Sequence, residues 1–140
     1  MKKLLILSGI LLSVGVTALQ AQTKTASKLG TSSKLSKADS TMCGKEWHVT
    51  SVEEWGVAGK PGDKNKNDML MMTTDMKFNL VLFGNKKSGT WSRAGQYIYF
   101  VDETSGEKFN YKVLSVEAKK IKVDYRDPDE THSIFEMEVK

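Results

Sequence analysis

The 140-residue sequence predicts an all-β domain, an eight-stranded antiparallel up-and-down barrel preceded by a signal peptide and a disordered arm. Three observations predict it. Apolar and polar residues alternate with a period of two, the mark of a strand with one buried face, through segment after segment beyond Cys43. Turn-forming clusters separate these segments about every 12 residues, the cadence of a meander. No stretch beyond Cys43 carries a helical period.

The first strand is read from Trp47, Val49 and Ser51, which alternate with His48, Thr50 and Val52. A short run, Met69 to Thr73, follows, and then Phe78, Leu80 and Leu82 alternate with Lys77, Asn79 and Val81. Thr90 to Ser92 is a second short run. Ile98 and Phe100 lie between Tyr97, Tyr99 and Val101, so that strand is apolar on both faces. Phe109, Tyr111 and Val113 define the next. Ile121, Val123 and Tyr125, then Phe135, Met137 and Val139, define the last two. Between them lie 84–89, 93–95, 104–107 and 127–129, rich in Gly, Asn, Asp, Ser and Pro, which tolerate or preset turn geometry. Closing such a meander removes the unpaired edges that an open sheet exposes.

The chain divides in three. Lys2 and Lys3 precede an uncharged run from Leu4 to Leu19, and Ala21 supplies a small residue for cleavage, the layout of a secretory signal peptide over 1–21. As a helix, Leu4 to Leu19 spans roughly 24 Å, short of a hydrocarbon core of about 30 Å, so no transmembrane span is expected. Cys43 lies too far beyond the cleavage point to be a lipidated first residue, which predicts an exported, non-lipidated protein in the periplasm or outside the cell. Residues 22–42 are dominated by Ser, Thr and Lys and carry no aromatic, and they read as a flexible linker. Residues 43–140 are the folded domain.

Charge follows the same division. The net charge is +4, but residues 1–21 carry +2, residues 22–42 carry +3, and the chain from Cys43 onward carries −1. The basic character belongs to the segments before the domain, which gives no electrostatic reason for a nucleic-acid partner. With two His and one Cys, a Cys/His zinc site and an internal disulfide are both excluded.

The motifs come in a telling order. Gly44-Lys45-Glu46-Trp47 opens the domain, Ser88-Gly89-Thr90-Trp91-Ser92 lies in its middle, and Tyr111-Lys112-Val113-Leu114-Ser115-Val116 follows. This pattern resembles the small lipocalin-like domains of secreted and envelope proteins in Bacteroidetes-type bacteria, over nearly all of 43–140. Two residues separate Gly44 from Trp47, where the usual lipocalin opening has one. The resemblance implies an eight-stranded barrel that holds a small apolar molecule, and it does not imply catalysis.

Residues expected to line such a site, in the barrel and at its mouth, are Trp47, Val49, Met71, Phe78, Leu80, Trp91, Phe100 and Tyr111. The same inward residues also suit a solid core, since an eight-stranded interior is barely wide enough for side chains alone. Alternation leaves both open. The segment 56–67, long for a hairpin connection and bearing three Gly and a Pro, is expected at the rim of a mouth.

Met69, Met71, Met72 and Met76 crowd into eight residues. They read as adaptable packing or a pliable pocket wall, with Cu(I) binding as the lesser alternative. Asp127, Asp129, Glu130 and His132 read as a solvated acidic turn. No nucleophile, base and orienting group assemble from the sequence, and no catalytic residue, metal or cofactor is expected. The expectation is a non-catalytic binder of a small hydrophobic or amphipathic ligand at one barrel mouth. A filled envelope module recognising a protein or glycan is the alternative.

Overall fold

A computed structural model describes residues 35–127 and 131–140. The signal peptide, the first part of the linker and the tip of the last hairpin lie outside these residues. Nine strands follow one short helix: α1 (Lys37–Met42), β1 (Glu46–Glu54), β2 (Val57–Gly59), β3 (Met69–Met72), β4 (Lys77–Leu82), β5 (Asn85–Ala94), β6 (Tyr97–Asp102), β7 (Lys108–Val116), β8 (Lys120–Arg126) and β9 (His132–Val139). All strand pairings are antiparallel, in the order β2-β1-β3-β4-β5-β6-β7-β8-β9. β1 also pairs with β9, from Trp47 opposite Val139 to Glu54 opposite Ser133. That pairing closes β1 and β3–β9 into the eight-stranded barrel that the alternation predicts. β2 is a three-residue wing on the outer end of β1.

The barrel is solid where alternation is cleanest. β6 and β4 bury every second residue: Ile98, Phe100 and Asp102 in one, Phe78, Leu80 and Leu82 in the other. Phe78, Phe100 and Phe109 form a tight aromatic layer, with ring centroids 4.9 Å apart for Phe78–Phe100 and for Phe100–Phe109. Gly89 faces this layer for a steric reason. A Cβ there would lie 2.0 Å from the carbonyl oxygen of Val101, so only glycine lets β5 and β6 approach this closely.

Four details depart from the sequence reading. Residues 37–42, expected in the flexible linker, form a helix whose capping box joins Ser36 and Asp39: Asp39 N donates to Ser36 Oγ (3.1 Å), and Ser36 N donates back to Asp39 Oδ2 (3.3 Å). Met42 is fully buried, so this helix seals one end of the barrel. β2 falls inside the connection read as a loop. β5 begins at Asn85, because the β4–β5 turn is only Phe83-Gly84 and most of 84–89 is strand. Met71 faces outward, since Trp47 pairs with Leu70 and it is Leu70 and Met72 that are buried.

Candidate functional site

The two ends of the barrel differ. At the sealed end, Trp47 Nε1 donates to the Met42 carbonyl (2.8 Å) and Trp91 Nε1 donates to the Thr73 carbonyl (3.1 Å). Arg93 approaches Asp39 at 3.5 Å, and Lys45 Nζ lies 5.4 Å from the centre of the Trp47 ring. The lone thiol, Cys43, is buried here, and burial reinforced by the Asp39 charge pushes it up from the usual thiol range.

The opposite end is shaped by an irregularity in β1. A classical alternation fails in β1, where the register with β9 shifts between Val49 and Ser51. This bulge reverses the facing of the strand, so that Val52, opposite Phe135, turns toward the interior. Beyond it, Trp55-Gly56 turns the chain tightly back into β2, with Trp55 at φ +56° and 87% exposed. The segment that follows is tied down by backbone bonds from Asn65 and Lys66 to the Gly62 carbonyl, both 3.0 Å. Ser51 Oγ donates to the Gly59 carbonyl (3.1 Å) and holds β2 in place.

These elements enclose a cleft of about 790 Å³. Its apolar lining is Val52, Val57 and Phe83; its polar lining includes Glu54, Lys60, Asn65, Thr131 and Ser133. Ser133 Oγ donates to Glu54 Oε1 (3.3 Å), and Thr131 N donates to Asp127 Oδ1 (2.8 Å). Phe83 is the floor. It occupies the first position of a two-residue turn with φ +51°, a left-handed conformation unusual for an aromatic residue. The buried carboxylate of Asp68 holds that turn, accepting from Phe83 N (2.9 Å) and Gly84 N (3.2 Å), and from Asn65 Nδ2 (3.0 Å). The Phe83 ring then rests on Tyr125 and Phe135, at 6.0 and 6.1 Å between centroids.

None of the eight residues expected to line the site borders this cleft. Trp47, Val49, Phe78, Leu80, Trp91, Phe100 and Tyr111 are brought together in the buried interior, and Met71 lies on the outer wall. The rim expected from 56–67 is where the cleft lies: Val57, Gly59, Lys60, Gly62, Asp63, Lys64 and Asn65 all border it. The methionines divide. Met72 is buried, while Met69 is half-buried on the outer wall opposite His48. Among the described residues, no group of three or more His, Cys, Asp or Glu is arranged to hold a metal ion. No described helix is long and apolar enough to cross a membrane.

No family model matches the chain, and no curated protein matches it. Among solved structures, the chain is similar to the 1.79 Å crystal structure of a lipocalin-like protein from Bacteroides uniformis ATCC 8492, with a TM-score of 0.48 and 16% identity over 68% of this chain and 96% of that one. By its own strand order and the β1–β9 closure, the domain is the closed eight-stranded antiparallel up-and-down barrel expected from the sequence.

Proposed function

We propose that the chain is an exported, non-catalytic binding protein that holds a small hydrophobic or amphipathic molecule at the mouth of its barrel. The mouth cleft carries this reading. Its volume of about 790 Å³ lies within the range that encloses small molecules, and its apolar floor is ringed by a few polar groups that suit an amphipathic ligand. The signal-peptide layout of 1–21 supports export.

The test is saturable binding of a neutral fluorescent probe, N-phenyl-1-naphthylamine. The expected result is one site per chain, lost in Gly62→Trp. Gly62 borders the cleft with open space where a Cβ would go, so an indole there is expected to crowd the site without a backbone clash. Absence of saturable binding, or full binding by Gly62→Trp, overturns the reading.

A second reading, an envelope module that docks a protein or glycan, draws on the outer wall. Around β8 and β9 that wall is charged and paired, with Lys120 on Glu136 and Glu138, and Lys122 on Glu53. On β6 it presents Tyr97, Tyr99 and Val101 to solvent. Loss of partner capture by Tyr99→Lys, with probe binding intact, supports this second reading.

A further inference from the structure

The strands β4 to β7 carry a single acidic residue, Asp102, and it is buried. Their outward positions carry Lys77, Lys86, Lys108 and Lys112. Among the described residues, only Lys77 of these four has an acidic partner, Glu103 in the β6–β7 turn. The rest of the wall differs. On β8, β9 and β1 cations meet carboxylates, Lys120 with Glu136 and Glu138, and Lys122 with Glu53. Residues 43–140 sum to −1, so the uncompensated cations are a local feature and not the mark of a basic domain.

An aromatic strip lies among these cations. Tyr97 and Tyr99 stand two residues apart on β6, with ring centroids 6.1 Å apart and planes inclined at 33°. Strand register sets Lys112 beside Tyr97, and Ser92 and Asn110 on either side of Tyr99. It sets Thr90 and Lys108 on either side of Val101. A groove of about 280 Å³ is bordered by Tyr99, Val101, Lys108 and Asn110.

We propose that this face binds an acidic polysaccharide, whose sugar rings lie on Tyr97 and Tyr99 and whose carboxylates meet Lys108 and Lys112. This rests on the second reading, an outer wall that docks a partner, and not on the mouth cleft. Charge comes first: cations without local carboxylates select an anion. A tyrosine ring offers a flat apolar face with a polar tip, which suits the C–H face of a sugar. Thr90, Ser92 and Asn110 add uncharged groups that can donate to and accept from its hydroxyls. A bilayer fits less well, because Tyr97 and Tyr99 are only 39% and 43% exposed and lie along the wall instead of projecting toward an acyl layer. A protein partner also fits less well, since lysine is depleted from the cores of protein interfaces. Single-stranded nucleic acid shares the anion and the stacking ring. An exported chain works away from most nucleic acid, which favours the polysaccharide.

The test titrates the protein at low salt with polygalacturonate and with its methyl ester, the same sugar chain without the charge. A thymidine oligonucleotide and phosphatidylglycerol vesicles are compared at matched anion concentration. Polygalacturonate is expected to bind best, with affinity that falls as salt rises. Tyr99→Ala is expected to weaken it at least about fivefold, and the pair Lys108→Gln and Lys112→Gln by a similar factor. Lys119→Gln, the same charge change in the exposed β7–β8 turn, is expected to leave binding intact, with thermal unfolding confirming that each variant folds. Equal binding of the methyl ester, tighter binding of the oligonucleotide or the vesicles, or binding indifferent to Tyr99→Ala overturns the proposal. So does no binding at all. The outer-wall reading survives that failure only if a protein partner is still captured through Tyr99.

Discussion

Tyr111→Phe is expected to stabilise the ligand-free protein. The substitution removes one buried oxygen that lacks a hydrogen-bond partner, and leaves the ring contacts with Phe100, Tyr125 and Phe135 in place. An unmatched buried hydroxyl costs about 1–3 kcal/mol, and loss of the oxygen leaves a small void that returns part of this. The expected net gain is about 1 kcal/mol, a rise of roughly 4–8 °C in Tm for a domain of this size. The pH dependence adds a second readout. The folded state holds the Tyr111 proton above the ordinary tyrosine value of 10.0, so this group's contribution is intact below pH 10 and falls as pH rises beyond it. Urea unfolding followed by Trp fluorescence at pH 7.5 and 10.5 measures both. Tyr111→Phe gains at the lower pH and loses less than the parent between the two. A loss of 1 kcal/mol or more at pH 7.5, with no change in pH dependence, refutes the reasoning, because the hydroxyl then had a partner all along.

Three further outcomes are expected. Gly89→Ala forces a Cβ onto the Val101 carbonyl, so it costs on the order of 3 kcal/mol in denaturant unfolding and weakens amide-exchange protection along β5 and β6. Phe83→Gly relieves the left-handed strain but loses a ring packed on Tyr125 and Phe135. It is expected to lower stability by about 1 kcal/mol while speeding probe association in stopped-flow mixing. Cys43, buried and with its thiol pushed up, is expected to react with Ellman's reagent at pH 8 roughly a hundredfold more slowly in the native protein than in guanidinium.

Strand positions were legible because most of the barrel obeys one rule. A strand with a packed inner face shows a period of two, and β4, β6, β8 and β9 follow it almost without exception. The candidate site was less legible because the cleft arises where that rule breaks. The bulge after Val49 turns Val52 inward, whereas unbroken alternation counts it with the outer residues Thr50 and His48. The facing of a four-residue strand of nearly uniform apolar residues, Met69–Met72, has no pattern to set it. Pairing of Trp47 with Leu70 decides it instead. β2 is invisible locally, since backbone bonds to β1 make it and all three of its residues are exposed. One missed element did leave a signal: Ser36 with an acidic residue three positions on is a helix-start signature, and the structure uses it for the helix that seals the barrel.

Amide chemical shifts of the isotope-labelled protein, followed while N-phenyl-1-naphthylamine is added, test the central claim most directly. The account predicts saturable shifts concentrated at Val52, Val57, Asn65, Phe83, Thr131 and Ser133, with the indole N–H signals of Trp47 and Trp91 unmoved at the sealed end. Shifts centred on Tyr97, Tyr99 and Asn110 of the outer wall, or none at saturating probe, contradict it.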